Sequence, residues 1–307
     1  MGNCATNGCA DDALRVNLQA DGKILVVGQA SSNPDAMTFT SSLAITRLTT
    51  TGQRDSTFDV DGRVTLQFGT GDAARGFRAK QLADGTHILA AGGANTTPAG
   101  TNVDFALARL NDNGSLDVTF GVGGKTTYGF DIGGDLGEIA TDFVELPDGR
   151  LMVCGEVRVN SPSNYDFGCM RFLANGVPDP AFSPILIPFD IGGGFLDAPL
   201  RLERDSRGRF LLIGFSEVAP DTYDFAAARL MPDGALDTSF GNGGILTYDS
   251  NPGTTGGEQA NGASGVVVQP DGKIVIAGYA DSDGSSNEIF EIVRVIGDTI
   301  FENGFDG

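Results

Sequence analysis

The chain has 307 residues, with 20 Lys and Arg against 40 Asp and Glu, a formal charge of −20. That balance argues against nucleic acid or an anionic membrane as partner, because both are held by clustered Lys and Arg. The length admits two ordinary domains or one large all-β domain, and no apolar run reaches the roughly 18 residues of a membrane span.

In chain order, the opening "MGNCATNGCADD" has neither a basic segment nor an apolar run and is not a signal peptide. Gly2 and Thr6 fit the loose myristoylation pattern, with Cys4 available for acylation, but no basic residue follows before Arg15. Residues 1–12 are therefore expected to be irregular. Strands are expected near 14–19, 23–29, 42–48 and 63–69, and the same set then recurs. "QADGKILVVG" (19–28) returns as "LADGTHILAAG" (82–92), "LPDGRLMVCG" (146–155), "DSRGRFLLIG" (205–214) and "QPDGKIVIAG" (269–278). Each carries a turn glycine (Gly22, Gly85, Gly149, Gly208, Gly272) between two apolar runs, which marks a hairpin. The run after the turn is apolar without alternation, so both of its faces are buried.

A second signature keeps step with the first. "DFALARLNDNGSLDVTFGVGG" (104–124) matches "DFAAARLMPDGALDTSFGNGG" (224–244) at 13 of 21 positions without a gap. Its arginines are Arg47, Arg109, Arg171, Arg229 and Arg294, and a phenylalanine follows eleven residues later in four copies (Phe58, Phe120, Phe182, Phe240). Five units of about sixty residues, each of four short strands with two buried faces, describe an all-β five-bladed β-propeller. The repeats read as 13–62, 63–124, 125–184, 185–244 and 245–307 of one domain, with segments such as "RVTLQFG" and "KTTYGFD" opening each blade. On that phasing the first blade lacks its first strand and closes imperfectly on the tail or on residues 1–12, as a chain cut from a longer product would. The paired signatures resemble the delta-60 repeat family of bacterial β-propellers. The resemblance implies an exported or cell-surface propeller, and it brings no common activity and no catalytic residues.

A repeat supplies its own control: a residue in every blade is scaffold, and a solitary residue is a candidate for function. Asp55, Asp117, Asp179 and Asp237 stand eight residues after Arg47, Arg109, Arg171 and Arg229, so structural ion pairs are expected at all four. The same logic places Asp104, Asp166 and Asp224 in the scaffold. His87, the sole histidine, begins a buried strand beside a turn and reads as a local strand insertion rather than a catalytic base. Cys4 and Cys9 could close a small loop. Cys154 and Cys169 fall at apolar core positions of neighbouring strands and read as ordinary core residues.

The variable connections gather on one face, the usual place for function on a rigid scaffold. They offer Asp131, Asp135, Glu138, Asp190, Asp197, Asp249 and Glu258 as candidate ligand- or cation-binding residues. Asp281, Asp283 and Glu288 in "DSDGSSNE" resemble half of a calcium loop. No cofactor is expected, calcium being the one candidate. The function expected is that of a non-enzymatic, exported, monomeric module binding a protein, glycan or cation. The alternative is a propeller hydrolase or lyase with a carboxylate-bound metal.

Overall fold

The structure is a computed structural model that describes residues 11–31, 41–68, 74–96, 102–132, 137–159, 164–189, 196–219, 222–249, 262–281, 288–296 and 299–301. Among the described residues, twenty strands form five four-stranded antiparallel sheets, the blades of the propeller. Blade one holds β1 (Asp12–Leu18), β2 (Ile24–Ser31), β3 (Ser41–Leu48) and β4 (Arg63–Leu66). Blade two holds β5 (Ala74–Gln81), β6 (His87–Asn95), β7 (Val103–Asn111) and β8 (Lys125–Tyr128). Blade three holds β9 (Glu138–Glu145), β10 (Leu151–Arg158), β11 (Tyr165–Phe172) and β12 (Ile185–Ile187). Blade four holds β13 (Asp197–Arg204), β14 (Phe210–Ala219), β15 (Thr222–Leu230) and β16 (Ile245–Tyr248). Blade five holds β17 (Gly262–Val268), β18 (Ile274–Asp281), β19 (Glu288–Ile296) and β20 (Thr299–Phe301). No helix among the described residues is long and apolar enough to cross a membrane. The chain divides into two compact units, 1–153 with 170–181, and 154–169 with 182–307.

The blade phase differs from the sequence reading by one strand. "RVTL" is the last strand of blade one, pairing Leu43 with Leu66 and Thr46 with Arg63. Blade one is therefore complete from its own residues, and β20 pairs with β19. The cause lies in the "LDxxFG" connection, which is a compact reversal. Arg47 N donates to Gly62 O and Asp55 N to Arg47 O, so the chain returns alongside the strand it has just left.

The reversal is held by a knot of side chains that recurs in four blades. Arg47, Arg109, Arg171 and Arg229 each donate from Nε to the aspartate eight residues on, at 2.8, 2.6, 2.7 and 2.8 Å. In blades one, two and four the other carboxylate oxygen accepts both the backbone N–H and the hydroxyl of Thr57, Thr119 or Ser239. Burial opposes the charge on Asp237, but Ser239 and Arg229 hold its carboxyl down to about 2. A second guanidinium nitrogen reaches the next blade: Arg47 donates to Asp112 O and Arg109 to Ala174 O. Beneath the guanidinium lies the repeated phenylalanine, Phe58, Phe120 or Phe240, at 4.7, 4.9 and 4.5 Å from ring centre. Its ring also fills the space under the next blade's turn glycine. A Cβ on Gly176 (φ +82°) would stand 2.7 Å from the Phe120 ring, and one on Gly234 would meet Phe182 at 2.9 Å.

The solitary histidine belongs to this knot. Lys23, His87, Arg150 and Arg209 all place a cationic-type side chain 3.1–3.5 Å from the knot aspartate of their own blade. Each also contacts an aspartate of its own hairpin turn, Asp21, Asp84, Asp148 or Asp205. The other correction concerns Cys154 and Cys169, which form a disulfide between β10 and β11 instead of standing as separate core thiols.

Two stability measurements check the knot. Phe120 is fully buried, so Phe120→Ala is expected to cost about 3–5 kcal/mol in urea unfolding through the cavity it leaves. A cost below about 1 kcal/mol would mean that the ring does not anchor the blade. His87→Lys installs the residue of blades one and five, and it is expected to leave stability within about 0.5 kcal/mol.

Candidate active site

Within each blade the variable connections leave the end opposite the "DG" turns. The described carboxyls of that end cluster where blade two meets the start of blade three. β7 begins by presenting Asp104, whose Oδ2 accepts from the Thr96 hydroxyl at 2.8 Å. β8 ends at Tyr128, and Phe130 then packs edge-on against both Phe105 and Tyr128, at 5.1 and 5.3 Å. That packing anchors the following residue, Asp131, which is exposed and has a left-handed φ of 51°. Such a φ is uncommon for a residue with a side chain, although aspartate tolerates it better than most. Gly129 makes the convergence sterically feasible. Asp104 Oδ1 and Asp131 Oδ1 each lie 3.1 Å from the point a Gly129 Cβ would occupy, so their separation cannot exceed twice that distance.

Glu138, the first residue of β9, completes the group. It is fully buried, and neither of its carboxyl oxygens has a hydrogen-bond partner of standard geometry. Burial, followed by the charges of Asp104 and Asp131, pushes its carboxyl up to about 8, and the pull of the Phe130 and Asp131 amides does not offset this. Burial, then Asp131 and Glu138, also raises the Tyr128 hydroxyl. Counted back from the hairpin turn, the corresponding positions hold Asp11, Ala74, Asp197 and Asn261, so glutamate occurs there once. Glu138 is thus a solitary residue at a recurring place, held neutral at pH 7 beside an exposed carboxylate.

Other candidates are distributed differently. In the second unit, Asp224 holds the repeat position of Asp104, and burial followed by Asp249 pushes it up to about 6. Placing Asp104 and Asp224 in the scaffold alone therefore missed their part in these clusters. Asp197 is buried and accepts from Phe189 N at 3.2 Å. Asp249 is exposed. Asp135, Asp190, Glu258 and Asp283 lie outside the described residues, and Asp281 and Glu288 are Cα partners across the β18–β19 hairpin. Among the described residues no group of three or more His, Cys, Asp or Glu is arranged to hold a metal. A cleft of about 490 Å³ lined by Asp59, Asp61, Arg63, Leu66 and Leu116 contains none of the clustered carboxyls.

The raised carboxyl sets a pH dependence. Glu138 ionises at an ordinary value in the unfolded chain and at about 8 in the folded one. Between those values only the folded protein keeps the proton, so stability falls as pH rises, by up to about 1.4 kcal/mol per pH unit. Glu138→Gln removes this titration. The variant is expected to melt like the wild type near about pH 5 and at a higher temperature near about pH 9. Parallel pH profiles for the two proteins would show that the carboxyl is not held neutral.

No curated protein matches the chain in sequence. Among solved structures it is similar to an exo-1,5-alpha-L-arabinanase from a bovine ruminal metagenomic library, at 11% identity over 93% of this chain and 91% of that one, TM-score 0.40. It is similar to Bacillus subtilis levansucrase at 12% identity over 94% and 85%, TM-score 0.39. The β-propeller domain of the Trilobed protease from Pyrococcus furiosus matches at 7% identity over 94% and 71%, TM-score 0.41. These likenesses are of fold. The expectation of a non-enzymatic module rested on missing catalytic motifs and scarce histidine, and chemistry by a pair of carboxyls requires neither. The family described as "Domain of unknown function (DUF5122) beta-propeller" matches residues 19–58, 83–120, 146–182, 208–240 and 269–294. Those segments make up more than half of the sequence and fall once in each blade, and the chain belongs to this β-propeller family.

Proposed function

We propose that the chain is a hydrolase that cleaves glycosidic bonds with a carboxyl pair, Glu138 as general acid and Asp131 as base or nucleophile. The observation that carries this reading is the Glu138 carboxyl, pushed up to about 8 beside the exposed Asp131. Glycoside cleavage needs a carboxylic acid to protonate the leaving oxygen and a second carboxylate to act at the anomeric carbon. Environments that drive two neighbouring carboxyls apart in proton affinity provide that division of labour at neutral pH. Asp104 is a positioning residue, since its charge helps to keep Glu138 protonated. Tyr128 and Phe130 supply an aromatic wall beside the pair.

The enzyme is further proposed to work in an oxidising, extracytoplasmic setting. The Cys154–Cys169 disulfide supports this, because such bonds persist where thiols are not kept reduced.

A panel of aryl glycosides tests the reading. Turnover of at least one substrate is expected, with kcat falling about 10²–10⁴-fold in Glu138→Gln and in Asp131→Asn. The high-pH limb of the wild-type rate profile is expected to follow the Glu138 value of about 8. No turnover across the panel, or turnover that neither substitution alters, would overturn the proposal.

A further inference from the structure

The first strands of the blades carry a second repeated device, on residues that the acid–base site does not use. In β1 the pairing register with β2 shifts between Ala13 and Arg15, and in β5 the register with β6 shifts between Gly76 and Arg78. The second unit repeats the shift between Pro199 and Arg201 and between Ala263 and Gly265. A bulge of this kind re-aims the side chain that follows it. In three of these four blades that side chain is an arginine, in a protein of net charge −20.

In the first unit the two arginines share one described counter-charge. Arg78 Nε stands 3.1 Å from Asp142 Oδ1, an oxygen that also accepts from Phe143 N at 2.8 Å. The Arg78 Nε–H is buried and makes no hydrogen bond of standard geometry. Arg15 is half-buried and donates to the carbonyl of its neighbour Leu14 at 2.8 Å. Burial lowers its proton affinity, the attraction of Asp142 opposes this, and repulsion from Arg78 adds to the lowering. Asn17 Nδ2 donates to Ala79 O at 2.8 Å and fixes β1 against β5, so the arginines are held close rather than free to separate. Two guanidiniums and one carboxylate leave an excess positive charge in a partly dehydrated place. A guanidinium fork is built to receive a carboxylate or phosphate in two parallel hydrogen bonds.

We propose that Arg15 and Arg78 form a binding site for the oxyanion group of a small ligand, with Asp142 setting its affinity by competing for Arg78. The proposal is independent of the acid–base reading of Glu138 and would stand if that reading failed.

The test is thermal unfolding of the full chain in inorganic phosphate and, separately, in glucuronate, each at constant ionic strength. A saturable rise in Tm is expected with at least one of them, as for any ligand that binds the folded state. A response to phosphate alone assigns a phosphoryl group, and a response to glucuronate alone assigns a carboxylate. Arg15→Gln and Arg78→Gln are each expected to weaken the apparent affinity at least tenfold. Asp142→Asn is expected to tighten it. Each arginine is tested singly, so Arg15→Gln serves if the Arg78 variant does not fold. No saturable shift with either anion, or a shift that the arginine substitutions leave unchanged, would overturn the proposal.

Discussion

The structure depends on the pairing of one arginine with the aspartate eight residues later. A guanidinium as buried as that of Arg47 is costly to dehydrate and persists only where its hydrogen bonds are met. Asp55 meets one of them, and Asp112, through its carbonyl and its carboxylate, meets others across to the next blade. The pair therefore does two jobs at once. It fixes the reversal that brings the fourth strand back onto the third, and in blades one and two it joins that reversal to the turn of the following blade. The phenylalanine beneath the guanidinium completes the joint, since its ring occupies the space that only a glycine turn leaves open.

This joint explains why recurrence separates scaffold from chemistry so well here. Any residue that contacts the joint must reappear in every blade in some form, as Lys23, Arg150 and Arg209 do where blade two has His87. At the opposite end of the blades the connections are free of that demand. There one repeat position passes through Asp11, Ala74, Glu138, Asp197 and Asn261, and a buried glutamate with no standard hydrogen-bond partner can be kept without disturbing the repeat.

Blade number, strand positions and the arginine–aspartate spacing were legible in the sequence because each is local, written within about a dozen residues. Blade phase was not. The segment "RVTL" follows "LDxxFG" in both phasings, and only the backbone bonds of the reversal decide which sheet it joins. The site was legible in part. Asp131 and Glu138 stood out on a variable connection, but Asp104 recurs at Asp166 and Asp224 and so read as scaffold. Its approach to Asp131 depends on a missing side chain at Gly129, which no motif records. The disulfide was hidden for a related reason, since Cys154 and Cys169 occupy positions that apolar residues fill elsewhere.

Two crowded charge clusters of the first unit depart from the rule that buried polar groups are satisfied. Around Glu138 three carboxyls crowd together, and its burial, reinforced by the charges of Asp104 and Asp131, makes it keep its proton. Around Arg78 two guanidiniums crowd together on one shared carboxylate. The departures have opposite sign and lie four residues apart along β9, at Glu138 and at Asp142. At about 3.3 Å per residue that is roughly 13 Å, the span of a small ligand of two or three rings. The strand carries both because its bulged neighbours turn the arginines toward it, while its first residue faces the preceding blade's Asp104. A scaffold this repetitive has the means to satisfy such groups, as the joint does in blade after blade. That it leaves both unsatisfied, in residues the other blades do not share as a set, is the physical argument for reading them as sites rather than as packing.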